Sequence, residues 1–182
     1  QIGGWGCTLA TQAQTFTNGN GALPATYNSG GCVGFADLDG DSYDDLIILD
    51  QSRVLHTLYQ APNGTFTDFN LGNVSGSSQW GMCVGDFDND GHKDVFSGGS
   101  YDGVHLMHIT APGQGNLQSL GNGSMFMQAC NMADIDQDGV LDVFACHDDA
   151  VSRLWKGDEA GALNNNQALM PLTSYDTGGY SN

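Results

Sequence analysis

Residues 32–49 read CVGFADLDGDSYDDLIIL, and this stretch decides the fold because the chain repeats its pattern twice more. Residues 83–99 read CVGDFDNDGHKDVFSGG, and residues 130–149 read CNMADIDQDGVLDVFACHDD. The first loop aspartates of the three segments are Asp37, Asp86 and Asp134. Successive members of this set are 49 and 48 residues apart, so the chain carries an internal repeat with a period of about 48 residues.

Short apolar runs separated by polar turns make up each repeat. Runs rich in Val, Ile, Phe and Tyr that are bounded by Gly, Asn and Asp are typical of strands rather than helices. Each period holds four such runs, which predicts a four-stranded antiparallel sheet. The runs at residues 46–49 and 142–146 do not alternate between apolar and polar side chains, which indicates sheets that are covered on both faces. Blades of a β-propeller are covered by their neighbours in this way.

The fold that we predict is all-β: a β-propeller segment of about three and a half four-stranded antiparallel blades that belongs to a larger propeller. We expect residues 1–182 to form one segment, with a partial blade at 1–31 and blades at 32–79, 80–127 and 128–182, the last including the start of the next blade. Closed propellers typically have about 4 to 8 blades. Either the sequence is a piece of a longer protein, or several chains self-associate through open blade edges, since unpaired strand edges pair readily.

The charge and hydropathy of the chain exclude two classes of partner. Lys and Arg together number 4 against 21 acidic residues, which gives a net charge of -17. Binding to the phosphates of nucleic acid requires basic side chains, so we predict no nucleic-acid partner. The longest aliphatic run, at residues 46–49, is far shorter than the roughly 20 residues of a spanning helix, so we predict no membrane insertion.

Aspartate dominates the acidic residues, since 20 of the 21 are Asp. Asp favours turns and hard-cation sites, and each repeat places four of them in the pattern DxDxDxxxD. Carboxylates at alternate positions of a curling loop converge on one point, and we expect the backbone carbonyl at position seven to add a further oxygen. The predicted metal ligands are Asp37, Asp39, Asp41, Tyr43 and Asp45 in the first loop, Asp86, Asp88, Asp90, His92 and Asp94 in the second, and Asp134, Asp136, Asp138, Val140 and Asp142 in the third.

The predicted ion is Ca²⁺, at three sites. Two ionised carboxylates about 4 Å apart repel each other by roughly 4 kcal/mol at an effective dielectric constant near 20, so four carboxylates in one loop need a cation between them. Hard oxygen ligands favour Ca²⁺ or Mg²⁺, and a crowded set of protein ligands favours Ca²⁺ because Mg²⁺ keeps its waters. An EF-hand would have Glu at position twelve. These loops have Ile48, Ser97 and Ala145 there, so the EF-hand interpretation fails.

A glycine near position six permits the sharp turn of such a loop. Gly91 and Gly139 occupy that position in the second and third loops. The first loop instead has Ser42 there, with Gly40 two positions earlier. We therefore expect the first loop to have either a tighter turn or a weaker metal site.

The loop sequences DLDGDSYDDL, DFDNDGHKDV and DIDQDGVLDV resemble the calcium loops of FG-GAP/VCBS repeats, which occur in integrin α-subunit propellers and in the cartilage-acidic-protein-like group of secreted proteins. The resemblance extends over residues 32 to about 163. It implies that each loop joins the first two strands of a blade and binds one Ca²⁺. It also implies an extracellular protein, secreted or on the cell surface, that serves as a non-catalytic binding, adhesion or structural module for a protein or glycan ligand.

Two other functions remain open from the sequence. The segment could belong to an extracellular enzyme of the polysaccharide lyase or phospholipase type, although one Glu and four basic residues offer little material for an acid–base pair. It could also be the subunit of an extracellular filament or ring that forms by edge-to-edge assembly.

The spacing of two further residue pairs, one of cysteines and one of histidines, predicts how their side chains are arranged. Cys130 lies four residues before the first Asp of the third loop and Cys146 four after its last, which places the two opposite each other across the hairpin, either as a disulfide or as two buried thiols. His105 and His108 are three residues apart, so on a strand they point to opposite faces, and we expect no metal site from this pair.

Overall fold

The computed structural model describes residues 18–29, 31–166 and 168–169, and this part of the chain has twelve strands. They form three four-stranded antiparallel sheets in which consecutive strands are neighbours, and we call these sheets blades 1 to 3. The described helical element is one 3-10 turn at Asn20–Ala22, and no helix in the described ranges is long and apolar enough to cross a bilayer. The prediction of an all-β segment built from propeller-like blades is confirmed.

The strands of the three blades have the following bounds. Blade 1 holds β1 (Val33–Ala36), β2 (Asp45–Leu49), β3 (Val54–Gln60) and β4 (Phe66–Asn73). Blade 2 holds β5 (Gln79–Gly85), β6 (Asp94–Gly99), β7 (Val104–Ala111) and β8 (Gln114–Ser119). Blade 3 holds β9 (Met127–Ala133), β10 (Asp142–His147), β11 (Arg153–Gly157) and β12 (Leu163–Asn165).

The first hairpin of each blade encloses one Asp-rich loop. We call residues 37–44, 86–93 and 134–141 loops 1 to 3. The residue before each loop pairs with the aspartate at position nine, which is the first residue of the second strand. The pairs are Ala36 with Asp45, Gly85 with Asp94, and Ala133 with Asp142. Position nine is therefore part of the sheet rather than of the loop.

This register corrects the expected arrangement of two cysteines. Cys130 lies opposite Ala145 in the ladder, not opposite Cys146. Cys146 lies opposite Ala129, one step away, so the two cysteine side chains point to opposite faces of the sheet and no disulfide joins them. Cys130 is near Cys83 of the neighbouring blade, and burial, reinforced by that thiol, raises the pKa of Cys130 well above its usual value.

The second strand of each blade is the most buried. Every residue of β2 and of β6 is buried, and β10 has four buried residues out of six. A strand in the interior of a sheet has apolar neighbours on both faces only when another layer covers each face. Apolar and polar side chains do not alternate along these strands because neighbouring blades cover both faces of the sheet, as the sequence indicated.

The blades contact one another through their first strands, which have glycine or alanine at the points of contact. A Cβ atom on Gly81 of β5 would lie 3.0 Å from the Cα atom of Ala129 in β9. On the other face of β5, the Cε atom of Met82 lies 3.4 Å from the position of a Cβ atom on Gly34 of β1. Strands β1, β5 and β9 therefore lie side by side, as the inner strands of adjacent propeller blades do.

Apolar side chains fill the layers between blades. Leu55 and Ile109 belong to the cluster between blades 1 and 2. Phe96 and Trp155 belong to the cluster between blades 2 and 3, where their ring centroids are 5.5 Å apart. Each layer takes side chains from two blades, so a blade depends on its neighbour to bury its apolar face.

Residues 18–29 cover part of the outer face of blade 1. Leu23 and Tyr27 pack against the small apolar cluster around Leu58. The hydroxyl of Tyr27 donates a hydrogen bond of 2.9 Å to the Oδ2 atom of Asp68. These residues form no strand. Most of the expected partial blade at residues 1–31 lies outside the described residues, so that assignment stays a prediction.

Candidate metal centres

The structure brings three predicted ligands together at each loop. One carboxylate oxygen from each of three aspartates lies within 4.8 Å of the other two. The groups are Asp37, Asp39 and Asp41 at loop 1, Asp86, Asp88 and Asp90 at loop 2, and Asp134, Asp136 and Asp142 at loop 3. The predicted aspartate ligands that lie outside these three groups are Asp45, Asp94 and Asp138. Loop 3 therefore differs from the other two. Its group of three contains the position-nine aspartate, Asp142, instead of the position-five aspartate, Asp138.

The first aspartate of each loop holds the turn closed. Its Oδ2 atom accepts a hydrogen bond from the backbone N–H of position six in all three loops. The donors are Ser42 to Asp37 at 2.9 Å, Gly91 to Asp86 at 3.2 Å, and Gly139 to Asp134 at 2.9 Å. Aspartate side chains stabilise turns by accepting such local bonds, and here the turn directs positions one, three and five to one point.

All three loops share one backbone shape. Positions four and six both have positive φ angles, the region that favours glycine. At position four these angles are 79° for Gly40, 57° for Asn89 and 63° for Gln137. At position six they are 73° for Ser42, 94° for Gly91 and 91° for Gly139. Loop 1 therefore shares these two turn conformations with the others, and its Ser42 adopts a conformation that costs a non-glycine residue free energy.

The position-nine aspartates link each loop to the body of its blade. They are at most 1% exposed. One oxygen accepts the backbone N–H of position two, and the other accepts an N–H from the third strand, at 2.8–3.1 Å throughout. Burial raises the pKa values of Asp45 and Asp94 even though these hydrogen bonds act in the opposite direction. The three carboxylates therefore have a structural role besides any contact with an ion.

A known sequence family matches the region that carries these loops. Two overlapping stretches, residues 37–97 and 86–145, fit a family model described as an FG-GAP-like repeat. The chain belongs to the FG-GAP-like repeat family. Each matched stretch begins at the first aspartate of one loop and includes the next loop, so the two stretches together contain all three FG-GAP-like loops. A search of curated proteins gave no match.

The donor chemistry of the FG-GAP-like loops fits a hard cation. At loop 2, the Oδ1 atom of Asp86 is buried and has no hydrogen-bond partner in the described part of the chain. A buried carboxylate oxygen without a partner is costly, because it has lost its hydration. An oxygen-binding cation in the loop would satisfy it.

The position-seven residues are held in place through their backbone. The N–H groups of Tyr43, His92 and Val140 donate to the position-five carboxylates at 2.8, 2.8 and 3.0 Å. These bonds fix the peptide that leads into each of the three residues. The role of their carbonyl oxygens as ligands stays a prediction.

A third-strand residue also faces each FG-GAP-like loop, and sequence reasoning missed this set. Its members are Tyr59, His108 and Lys156. Each follows the position-nine aspartate by 14 residues, and this shared offset is the signal that could have found them. The register confirms the equivalence, since the preceding residues Leu58, Met107 and Trp155 pair with Leu46, Val95 and Val143.

The three residues place different functional groups beside their loops: a phenol, an imidazole and an ammonium group. Burial, followed by the negative charges of Asp45 and Asp39, raises the pKa of Tyr59 to about 12. The Nδ1 atom of His108 lies 3.6 Å from carboxylate oxygens of Asp88 and Asp94. Each loop therefore has a different side chain beside its carboxylates.

The two histidines of the pair at 105 and 108 face different surroundings, and His108 is the one that faces an acidic loop. Asp88, Asp94 and His108 form a further group whose ligand atoms lie within 4.8 Å of one another, so this histidine can serve a metal site. His105 instead lies 3.4 Å from Asp102, and the pair does not converge. The spacing correctly separates the two histidines, but it does not show that one of them faces an acidic loop on another strand.

Proposed function

We propose that this chain is a calcium-stabilised β-propeller module that acts outside the cell, secreted or on the cell surface, as a binding, adhesion or structural element without catalysis. One observation carries the proposal, and it recurs in all three blades. An acidic loop is joined to the third strand through a buried position-nine carboxylate. An ion bound in the loop would therefore stabilise the positions of three of the four strands: the two that the loop joins and the third strand, which is hydrogen-bonded to the position-nine carboxylate.

The loops concentrate negative charge that the chain itself balances poorly. Each brings three carboxylate oxygens within 4.8 Å of one another. A pair of such charges about 4 Å apart repels by roughly 4 kcal/mol at an effective dielectric constant near 20. Three bound Ca²⁺ ions would change the net charge from -17 to -11. This favours a fold whose stability depends on divalent cations.

The expected benefit follows from linkage between binding and folding. The loop carboxylates converge only when the first hairpin is formed, so the unfolded chain lacks the site. A ligand that binds only the folded state stabilises it by about 2.7 kcal/mol per site at a concentration of 100 times Kd. Calcium would thereby hold the first two strands of each blade in register beside the third.

The proposed partner is a protein or glycan ligand at the cell exterior. This follows from the resemblance to integrin-type propellers together with membership of the FG-GAP-like family. The net charge supports it, because a chain with charge -17 disfavours nucleic acid and anionic membrane surfaces.

Exposed apolar side chains on β1 favour a second proposal, that another blade packs against blade 1. Val33 and Phe35 are 54% and 69% exposed. In blade 2 the residues at the same register, Met82 and Val84, belong to the apolar layer against blade 1. The described part of the chain has no blade on this side of blade 1, and such a neighbour would come from a longer chain or from a second copy. Mass measurement in solution tests self-association, and a strictly monomeric particle of 19.2 kDa would exclude it.

Thermal unfolding in CaCl₂ and in EDTA tests the calcium proposal. We expect EDTA to lower Tm by roughly 5 °C or more for each site that calcium fills. Asp39→Asn should remove part of this difference, because Asp39 is a central carboxylate of loop 1. Asp44→Asn is the matched control, since this exposed residue of the same loop is outside the predicted ligand set. Melting curves that coincide in CaCl₂ and EDTA would refute calcium stabilisation.

A further inference from the structure

Loop 3 already contains a positive charge that belongs to the chain. The Nζ atom of Lys156, on β11, lies 2.5 Å from the Oδ2 atom of Asp136 and also donates to the Oδ2 atom of Asp138. The ammonium group thus bridges positions three and five of the loop. Both carboxylates are positions at which the FG-GAP-like pattern predicts metal ligands.

The other two loops lack an equivalent fixed charge. At the same third-strand position they have Tyr59, which is neutral, and His108, whose nearest carboxylate oxygens are 3.6 Å away. Loop 2 does have a lysine of its own, Lys93 at position eight. Its Nζ atom is 3.9 Å from one oxygen of Asp86, and its side chain is 38% exposed, so it lies at the edge of the loop and bridges nothing. It therefore makes one long contact, whereas Lys156 contacts two carboxylates at hydrogen-bond distance.

The arrangement of carboxylates in loop 3 agrees with this difference. At loops 1 and 2 the position-five aspartates, Asp41 and Asp90, belong to the convergent group of three. At loop 3 Asp138 does not belong to that group, and Asp142 takes its place. The carboxylate that leaves the group is one of the two that Lys156 binds.

We propose that Lys156 is the built-in cation of loop 3, so that blade 3 is stabilised without calcium and loop 3 is the weakest calcium site of the three. This inference rests on the proposed function in taking calcium as the ion of loops 1 and 2. An ion entering loop 3 has to compete with the ammonium for Asp136 and Asp138, or share them with it against charge repulsion. The chain should therefore bind two calcium ions in one affinity class and a third about tenfold more weakly.

Calcium titration calorimetry on the whole chain, combined with melting in EDTA, tests this proposal. Wild-type protein should show two strong sites and one weak site, and Asp136→Asn should remove the weak one. Lys156→Gln should strengthen the weak site by about tenfold and make it resemble the others. Lys93→Gln is the matched control, because it also removes one lysine charge beside an acidic loop but should leave the weak site unchanged. In EDTA, Lys156→Gln should melt below Lys93→Gln, since only the former deprives a loop of its cation.

The outcomes separate this proposal from the calcium proposal itself. Three equal sites in wild-type protein would overturn it, and this result needs no variant to fold. A weak site that Lys156→Gln leaves unchanged would overturn it too. If no loop binds calcium, the proposed function fails together with the ranking of sites. The EDTA melts then still decide whether the ammonium stabilises blade 3, and equal melting of the two lysine variants would refute that.

Discussion

The backbone N–H of Gln60 donates a hydrogen bond of 2.8 Å to the buried carboxylate of Asp45, which joins the first hairpin of blade 1 to its third strand. The other carboxylate oxygen accepts the N–H of Leu38 inside the loop, also at 2.8 Å. The same pair of bonds recurs at Asp94 and Asp142. One side chain in each blade therefore connects loop, second strand and third strand.

Replacing Asp45 with Asn should destabilise the chain even in EDTA. The amide keeps one acceptor but turns an NH₂ group toward a buried N–H, which leaves that donor unsatisfied. We expect the free energy of unfolding to fall by about 2 kcal/mol in urea denaturation. The control is Asp44→Asn at the exposed neighbouring position, where the change should stay within about 0.5 kcal/mol. Equal effects of the two variants would show that the buried bonds are unimportant.

Ser42→Gly should stabilise loop 1. Ser42 has a φ angle of 73°, a conformation that costs a non-glycine residue about 1 kcal/mol, whereas glycine adopts it freely. Glycine loses more entropy on folding, so we expect a net gain of about 0.5 kcal/mol in urea denaturation. The reverse change in loop 2, Gly91→Ser, should cost stability, because the φ angle there is 94°. A gain from Gly91→Ser would contradict this account of the turn.

Gly81→Ala should weaken the stacking of blades 2 and 3. The new methyl group would lie 2.9 Å from the Cε atom of Met127 and 3.0 Å from the Cα atom of Ala129, and the latter backbone atom has little room to move. Overpacking of this kind costs about 1–3 kcal/mol. Gly123→Ala serves as the control, since a Cβ atom there meets nothing within 4 Å. Similar Tm values for both variants would mean that the blades do not pack as closely as described.

The phenol of Tyr27 should lose its proton only at high pH, and the free energy of unfolding should fall as it does so. Burial, followed by the hydrogen bond to Asp68, raises the pKa of Tyr27 from 10.0 to about 12. The folded state thus holds this proton more tightly than the unfolded chain, so the stabilisation is complete below pH 10 and is lost as the pH rises toward 12. Ultraviolet titration of tyrosinate should show one late phenol fewer in Tyr27→Phe, and the decline in stability between these pH values should flatten. If the high-pH phase of the titration is unchanged in Tyr27→Phe, that phase belongs to other tyrosines and the prediction is wrong.

The sequence predicted the loops and the blades because the information for both is local. Four aspartates at fixed spacing and short runs of β-forming residues recur within each period, and the structure places a four-stranded sheet and an acidic loop in every one. The arrangement of Cys130 and Cys146 was predicted wrongly by one step. That error arose because a symmetric hairpin was assumed, whereas the position-nine aspartate turns inward and pairs with the residue before the loop.

The third-strand residues could not be predicted from local pattern. Lys156 is 18 residues from Asp138 in sequence, and only the pairing of β10 with β11 brings the two together. A lysine on a strand is ordinarily a solvated surface residue. Comparing equivalent positions across the three repeats would have revealed the set, since Tyr59 and His108 share the offset of Lys156.

The inward-facing acid at position nine has a consequence for how such repeats diverge. The aspartates at positions three and five would serve mainly the proposed ion, so a duplicated copy that no longer needs the ion is free to replace them. The acid at position nine also satisfies two main-chain donors inside the blade, and its loss would damage the sheet itself. A degenerate copy should therefore keep this one acid as a vestige, which marks the former loop after the rest of its signature has disappeared.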